Sequence, residues 1–265
     1  MLSAVKLTGE RPIEGKTPDS LLALHAAGYR EVRDRLEPGG RFLDLGCGLA
    51  DGTATFADPE RTLVGVDYDP ATAAQARREK AGIGLMTACA DGSALSLASD
   101  AFDYVCSSHL IEHFVEPQHH AREVARVLAE DGTAFFITPN APADFENPYH
   151  VYLFEPDDLN EMLGRYFGEV EVIGLDATPT VKADFEKRRA LARKLLRLDP
   201  FGLRHKLPRS WFVALHAAGR RIAYRFMADE QGGGNSGITD AEFFTTDAID
   251  ESTLVLMAVA RKPLS

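Results

Sequence analysis

The sequence predicts a doubly wound α/β domain built on a mostly parallel sheet, and three observations carry the prediction. Short apolar runs alternate with longer amphipathic stretches from about residue 19 to residue 175. A tight turn, Gly46-Cys47-Gly48, follows the apolar run Phe42 to Leu45. The next run, Leu63-Val-Gly-Val-Asp67, ends in an acid nineteen residues beyond Gly48.

The elements follow in order. A helix is expected over 19–36, with Asp19 or Ser20 as N-cap and Pro38-Gly-Gly40 as the stop. Strands and helices then alternate: strand 41–45, helix 51–58, strand 62–67, helix 70–80, strands 84–88 and 102–107, helix 117–129 and strand 133–138. Glu155-Pro156-Asp157-Asp158 opens a helix running to about Arg165, and Val170 to Leu175 is the next strand. The last strand is Thr253 to Arg261. No internal repeat is visible, and Gly232-Gly-Gly-Asn-Ser-Gly237 is the low-complexity run.

Composition bounds the reading. With 265 residues and 45% hydrophobic content the chain can bury a full core, as one α/β domain with an elaboration. The three cysteines, 47, 89 and 106, lack C-x-x-C spacing and fall in expected buried strands or the glycine turn, which suits reduced thiols and a cytoplasmic setting. No N-terminal apolar run reaches the length of a signal peptide or membrane span. A net charge of −11 argues against a general nucleic-acid binder.

A strand, a Gly-x-Gly turn and an acid at the next strand's tip form half of a Rossmann-type nucleotide site. Glycine lets the backbone approach a ligand, and the acid accepts hydrogen bonds from ribose hydroxyls. A dinucleotide site wants a third glycine where this chain has Asp51, and an acid there would repel a pyrophosphate. Asp44 is equally unsuited to a diphosphate. Both suit a cofactor that carries positive charge and no phosphate, and S-adenosylmethionine has a sulfonium and an amino group.

The blocks Asp44-Leu-Gly-Cys-Gly48, Gly65-Val-Asp67, Ala90-Asp-Gly-Ser93, Phe102-Asp-Tyr-Val105, Glu112-His113 and Arg126-Val-Leu-Ala-Glu-Asp-Gly132 occur in sequence. In this order and spacing the chain resembles the class I S-adenosylmethionine-dependent methyltransferases, over roughly residues 20–175 and again in the last strand. The resemblance implies a Rossmann-like sheet of seven strands, one of them antiparallel. One departure is Ala50, where the family usually has glycine, making the loop slightly bulkier.

The cofactor residues expected are Asp44, Gly46, Cys47 and Gly48 at the methionine end and Asp67 on the ribose. As the resemblance implies, Asp91 takes the adenine amino group, with Gly92 and Ser93 beside it. Tyr68 is read either as an adenine flank or as a surface tyrosine. Strand 103–107 delivers Ser108, a further cofactor-binding candidate, and His109 to the carboxyl end of the sheet, where open α/β folds bind ligands. His109 is the first candidate for a general base, since a hydroxyl acceptor must lose a proton as it attacks the methyl group; the alternative is a histidine that orders the loop. Glu112-His113 ranks second, as an element that orders the same loop. Thr138-Pro139-Asn140, Asn147-Pro-Tyr-His150 and Phe154-Glu-Pro156 resemble a subgroup associated with small-molecule or glycan methylation. Pro139 and Pro148 would leave Asn140, Tyr149 and His150 facing a polar acceptor, or simply forming a rigid turn. His119-His120 is placed on a polar helix face without an acidic partner, so no metal site is expected there.

The pattern breaks between the last two strands. The expected division is a core of 1–176 and 252–265 with a basic helical insertion over 177–251. Residues 180–225 hold thirteen Lys and Arg against three acids, so this stretch is basic within an acidic chain. Leu207, Trp211, Leu215, Ala218, Ile222 and Phe226 form an apolar stripe in its second expected helix. Such a pair of helices, over 180–227, reads as a lid above the acceptor cleft or as contact with an anionic membrane or lipid-linked substrate at the inner membrane face. The acceptor expected is a sugar or glycan hydroxyl, with a phenolic or quinone metabolite as the alternative. A non-catalytic S-adenosylmethionine-binding module is the rival of another class. Oligomeric state is left open.

Overall fold

The computed structural model describes residues 17–144, 150–196 and 236–264. Eight strands form one sheet in the order β3-β2-β1-β4-β5-β8-β6-β7. They are β1 (Gly40–Leu45), β2 (Arg61–Asp67), β3 (Met86–Cys89), β4 (Phe102–Ser108), β5 (Leu128–Pro139), β6 (Phe167–Ala177), β7 (Phe243–Thr246) and β8 (Val255–Pro263). Strands β3, β2, β1, β4 and β5 pair in parallel, and β8 lies antiparallel between β5 and β6. The sheet departs from the expected seven strands at its edge, where β7 pairs antiparallel with β6. Phe243, buried at the start of β7, packs into the core beneath helix α1 (Asp19–Arg33). The connection between β6 and β8 therefore contributes a strand as well as helix.

Apolar side chains on the two sheet faces make two cores. Phe42, Phe56, Phe135 and Ile137 pack with α1 on one face, while Leu43, Leu45, Val105 and Phe136 pack on the other with α3 (Pro117–Val127) and α4 (Pro156–Leu163). Alternation along β1, Phe42 to one face and Leu43 to the other, is the two-residue period of a strand covered on both sides. Helix α2 (Pro70–Glu79) starts where local chemistry demands it: Asp69 caps the Thr72 N–H at 3.0 Å, and Pro70 needs no partner for a missing N–H.

Two expectations need local correction. The helix expected over 51–58 is a short 3-10 turn, Thr53–Phe56, because Thr53 is drawn onto the buried Asp44 and Gly52 lies under the Tyr29 ring, where a Cβ would meet ring atoms at 2.5 Å. Cys89 is exposed at the end of β3 rather than buried, although all three cysteines are free thiols. Ala50, the departure from the family pattern, is fully buried at φ 62°, a left-handed conformation that glycine would adopt without strain.

Helix α5 (Pro179–Leu196) opens the connection after β6 and packs Val181 and Phe185 into the core. Arg188 pairs with Asp184 at 2.9 Å, and Arg189 donates to the Ala143 carbonyl at 2.7 Å, so both cations are engaged within the protein. The second expected helix, with Trp211, lies outside the described residues. No helix among the described residues is long and apolar enough to cross a membrane.

Candidate active site

Because β1, β2, β3, β4 and β5 are parallel, their carboxyl ends converge at one rim. On its first half, Gly46 and Gly48 turn the chain at φ 76° and 55°. Val66 C=O, at the end of β2, accepts the Gly46 and Cys47 N–H groups at 2.8 and 3.0 Å. Asp67, almost fully buried, takes the Gly48 N–H at 3.1 Å on one oxygen and the Asp69 N–H at 2.9 Å on the other. Asp67 therefore orders the glycine turn, with one oxygen on each of two backbone N–H groups. A Cβ at Gly48 would meet nothing within 4 Å, which leaves that side of the turn open to a ligand. Tyr68, the next residue, is 57% exposed beside this opening.

Asp44 lies beneath the turn with no exposure, accepting from Tyr29 Oη at 3.1 Å and from Thr53 Oγ1. Burial pushes its carboxyl up to about 7, with these two donors opposing. Its influence on a ligand at the turn is thus electrostatic, through Gly46 to Gly48, rather than by contact.

The Asp91-Gly92-Ser93 turn is held by a residue that the sequence reading misplaced. His120 is not on a polar helix face; it is fully buried in α3, stacked on Phe114 at 4.8 Å. Its Nδ1 lies 2.8 Å from the Gly92 carbonyl and its Nε2 lies 2.8 Å from Ser107 Oγ. A carbonyl can only accept, so Nδ1 carries the hydrogen and Nε2 accepts from Ser107. Burial pushes the ring down to about 4, and it is neutral at pH 7. His120 therefore ties the Asp91-Gly92-Ser93 turn to β4. Asp91 completes that turn by accepting the Ser93 N–H at 2.8 Å and Ser93 Oγ at 2.7 Å, which lowers its pKa.

The second half of the rim is a group of imidazoles around Glu112. Ser108 is nearly buried and its Oγ has no hydrogen-bond partner. His109 follows at φ 50°, a conformation rare for a residue with a side chain, and its N–H is bound by the Ile137 carbonyl at 2.7 Å. Its ring meets His25 of α1 at 4.3 Å, its Nδ1 lies 3.5 Å from Glu112 Oε1, and its Nε2 is buried without a partner. Burial, with His109 beside it, holds His25 well below the usual imidazole range. Glu112 is fully buried and accepts Thr138 Oγ1 at 3.1 Å. Burial pushes its carboxyl up, but His109, His113 and His150 outweigh this and hold it at about 2. His113 faces His150 at 5.2 Å, and His150 Nδ1 is 2.7 Å from Asp144.

Asn140 does not face the rim as expected. It is buried, and its amide donates to the Asp250 and Thr253 carbonyls at 3.0 and 2.9 Å, which positions the turn into β8. Tyr149 lies outside the described residues. His25, His120 and Asp144 are the residues that sequence reasoning passed over as site candidates. Glu112 and His120 stood within motifs that were read as loop order or polar surface. Nothing local marks His25, which reaches His109 across 84 positions.

This arrangement defines a class of protein: an α/β fold that places a glycine turn and two carboxylates beside a half-buried group of imidazoles around a buried Glu112. Residues 43–136 match the family model of a methyltransferase domain. A probable S-adenosylmethionine-dependent methyltransferase of Mycolicibacterium smegmatis is 31% identical over 176 residues, spanning 64% of this chain and 67% of that protein. A probable S-adenosylmethionine-dependent methyltransferase of Mycobacterium tuberculosis is 28% identical over 188 residues, 68% of each chain. In fold, the chain is similar to a Thermotoga maritima S-adenosylmethionine-dependent methyltransferase described as a possible histamine N-methyltransferase, with a TM-score of 0.57, 12% identity and 92% of both chains covered. The chain belongs to the S-adenosylmethionine-dependent methyltransferases. S-adenosylmethionine is its cofactor, and the open side of the glycine turn at Gly48 fits it.

Two outcomes follow from this geometry. Asp44 has a folded pKa raised above its unfolded value, so the stability linked to its proton is present below pH 4 and is lost as pH rises through 7. Relative to Asp44→Asn, the wild type should lose up to about 4 kcal/mol between pH 4 and pH 8 in chemical denaturation. A difference independent of pH would contradict the buried placement. His120→Phe keeps the ring stack but removes both hydrogen bonds, and should weaken S-adenosylhomocysteine binding about fivefold in calorimetry. Unchanged affinity would mean that Asp91 and Ser93 hold the turn alone.

Proposed function

We propose that the protein transfers the methyl group to a hydroxyl oxygen of a saccharide acceptor, with His109 as the general base. The observation that carries this reading is the buried, partnerless Nε2 of His109 at the carboxyl end of β4. A buried polar atom without a partner is unfavourable unless a ligand supplies one, and an acceptor hydroxyl would supply it. Glu112, beside Nδ1, orients the ring and stabilises the imidazolium that proton transfer would create.

S-adenosylmethionine supplies an electrophilic methyl group, so the chain's own task is alignment and proton removal. Asp67 and the glycine turn fix one side; His109, Ser108 and the Glu112 cluster face the other. Tyr152 and Leu153 are partly exposed, and Tyr152 is tied by its N–H to the Glu112 carbonyl at 3.1 Å. An aromatic and aliphatic rim beside carboxylate and imidazole groups suits a sugar, which has apolar C–H faces and a polar edge. A lipid-linked form of that sugar, held at a membrane surface, draws its support from the basic composition of residues 180–227 alone.

The test is S-adenosylhomocysteine release with a panel of free and lipid-linked saccharides against phenols and quinols. Saccharides should be turned over, and His109→Ala should lower turnover at least tenfold with cofactor affinity nearly unchanged. Turnover of phenols alone would remove the saccharide; a fall below twofold in the variant would make His109 a loop-ordering residue.

A further inference from the structure

Beside His109 the fold gathers a second constellation that methyl transfer does not require. We propose that Glu112, His113 and His150 form a binding site for one divalent transition-metal ion, with Asp144 holding His150 from behind.

The coordinating atoms of these three residues lie within 4.8 Å of one another. Glu112 is fully buried, yet its Oε1 has no hydrogen-bond partner. Its neighbour His109 Nδ1 is at 3.5 Å, too far for a close hydrogen bond, so this oxygen keeps a lone pair for a metal ion. The two rings meet at 63°, with centroids 5.2 Å apart, so they are not stacked and their edges can converge. Asp144 can only accept from His150 Nδ1 at 2.7 Å, so Nδ1 carries the hydrogen and the lone pair of the ring is on Nε2. A carboxylate behind a histidine in this way fixes the tautomer and raises the basicity of the coordinating nitrogen.

Backbone contacts keep the set together. The Glu112 carbonyl accepts the Val151 and Tyr152 N–H groups at 2.9 and 3.1 Å, which binds the segment carrying His150 to the turn carrying Glu112 and His113. Two ligands each about 2.1 Å from an ion are at most roughly 4.2 Å apart, so the widest pair would close by some tenths of an ångström. Two imidazoles and one carboxylate select a first-row transition ion such as Zn²⁺, Mn²⁺, Fe²⁺ or Co²⁺ over Mg²⁺ or Ca²⁺, which prefer oxygen. The remaining positions would be open to water or to an acceptor oxygen. That last consequence rests on the methyl-transfer reading; ion binding does not.

His120 does not join the set, because Gly92 and Ser107 occupy both of its nitrogens. The competing soft ligands are the thiols, of which Cys89 is exposed.

The experiment adds Co²⁺ to chelator-treated, tag-free full-length protein and follows visible absorption and calorimetry, with S-adenosylhomocysteine binding measured on the same samples. The proposal predicts saturation at one equivalent, d–d bands without a thiolate charge-transfer band, and at least tenfold weaker Co²⁺ binding in His150→Ala and Glu112→Gln. Cofactor binding should persist in both. If either variant loses cofactor binding through misfolding, Asp144→Asn replaces it, since this leaves every ligand in place and should weaken Co²⁺ about tenfold. No saturable binding, a thiolate band, or binding unchanged in the well-folded variants would overturn the site. S-adenosylhomocysteine binding with no Co²⁺ binding would sink the metal site and leave the methyltransferase reading intact.

Discussion

The imidazole-lined half of the sheet's rim depends on one buried carboxylate. Removing a charged carboxylate from water costs several kcal/mol unless it is compensated, so whatever surrounds Glu112 is constrained by it. Its side chain takes Thr138 from the end of β5, and its backbone carbonyl takes the two N–H groups that follow His150. His109, His113 and His150 supply the electrostatic compensation. Three chain segments, at 109–113, 138 and 150–152, are thereby brought to one point.

The opposite half of the rim uses a different economy of groups. There the backbone does most of the binding, through Gly46 to Gly48, and carboxylates hold the backbone in shape. Asp67 orders the turn from the neighbouring strand, and the neutral His120 ties the Asp91 turn to β4. Parallel pairing of β1 with β2 and β4 puts these groups at the same height, so the two halves of the rim adjoin at the ends of β1 and β4. The antiparallel β8 serves the site less directly, since its approach is fixed by Asn140.

Much of the cofactor half was legible in the sequence because it is local. A strand, its turn and the acid of the next strand occupy a short stretch, and the glycines at 46 and 48 announce the backbone conformation that they adopt. Asp51, in the place of a third glycine, lies exposed and paired with Lys80. The acceptor half was less legible because its contacts are long-range. His25 and Asp144 carry no motif, and Asn140 resembles a rim residue until the turn before β8 is seen to use its amide. His120 misled through periodicity, since its neighbours on α3 include Gln118, His119 and Arg122, and only the close approach of Gly92 explains a histidine there. The edge strand β7 was missed because its pairing partner, β6, precedes it by more than sixty residues.

The most direct test of the whole account is isothermal titration of S-adenosylhomocysteine against the wild type and Asp67→Ala. A one-site isotherm is expected, with a loss of more than about 1 kcal/mol in the variant if Asp67 is the ribose acceptor, since a charge-assisted acceptor is then removed. Tight NAD binding without S-adenosylhomocysteine binding, or an affinity indifferent to Asp67, would contradict it.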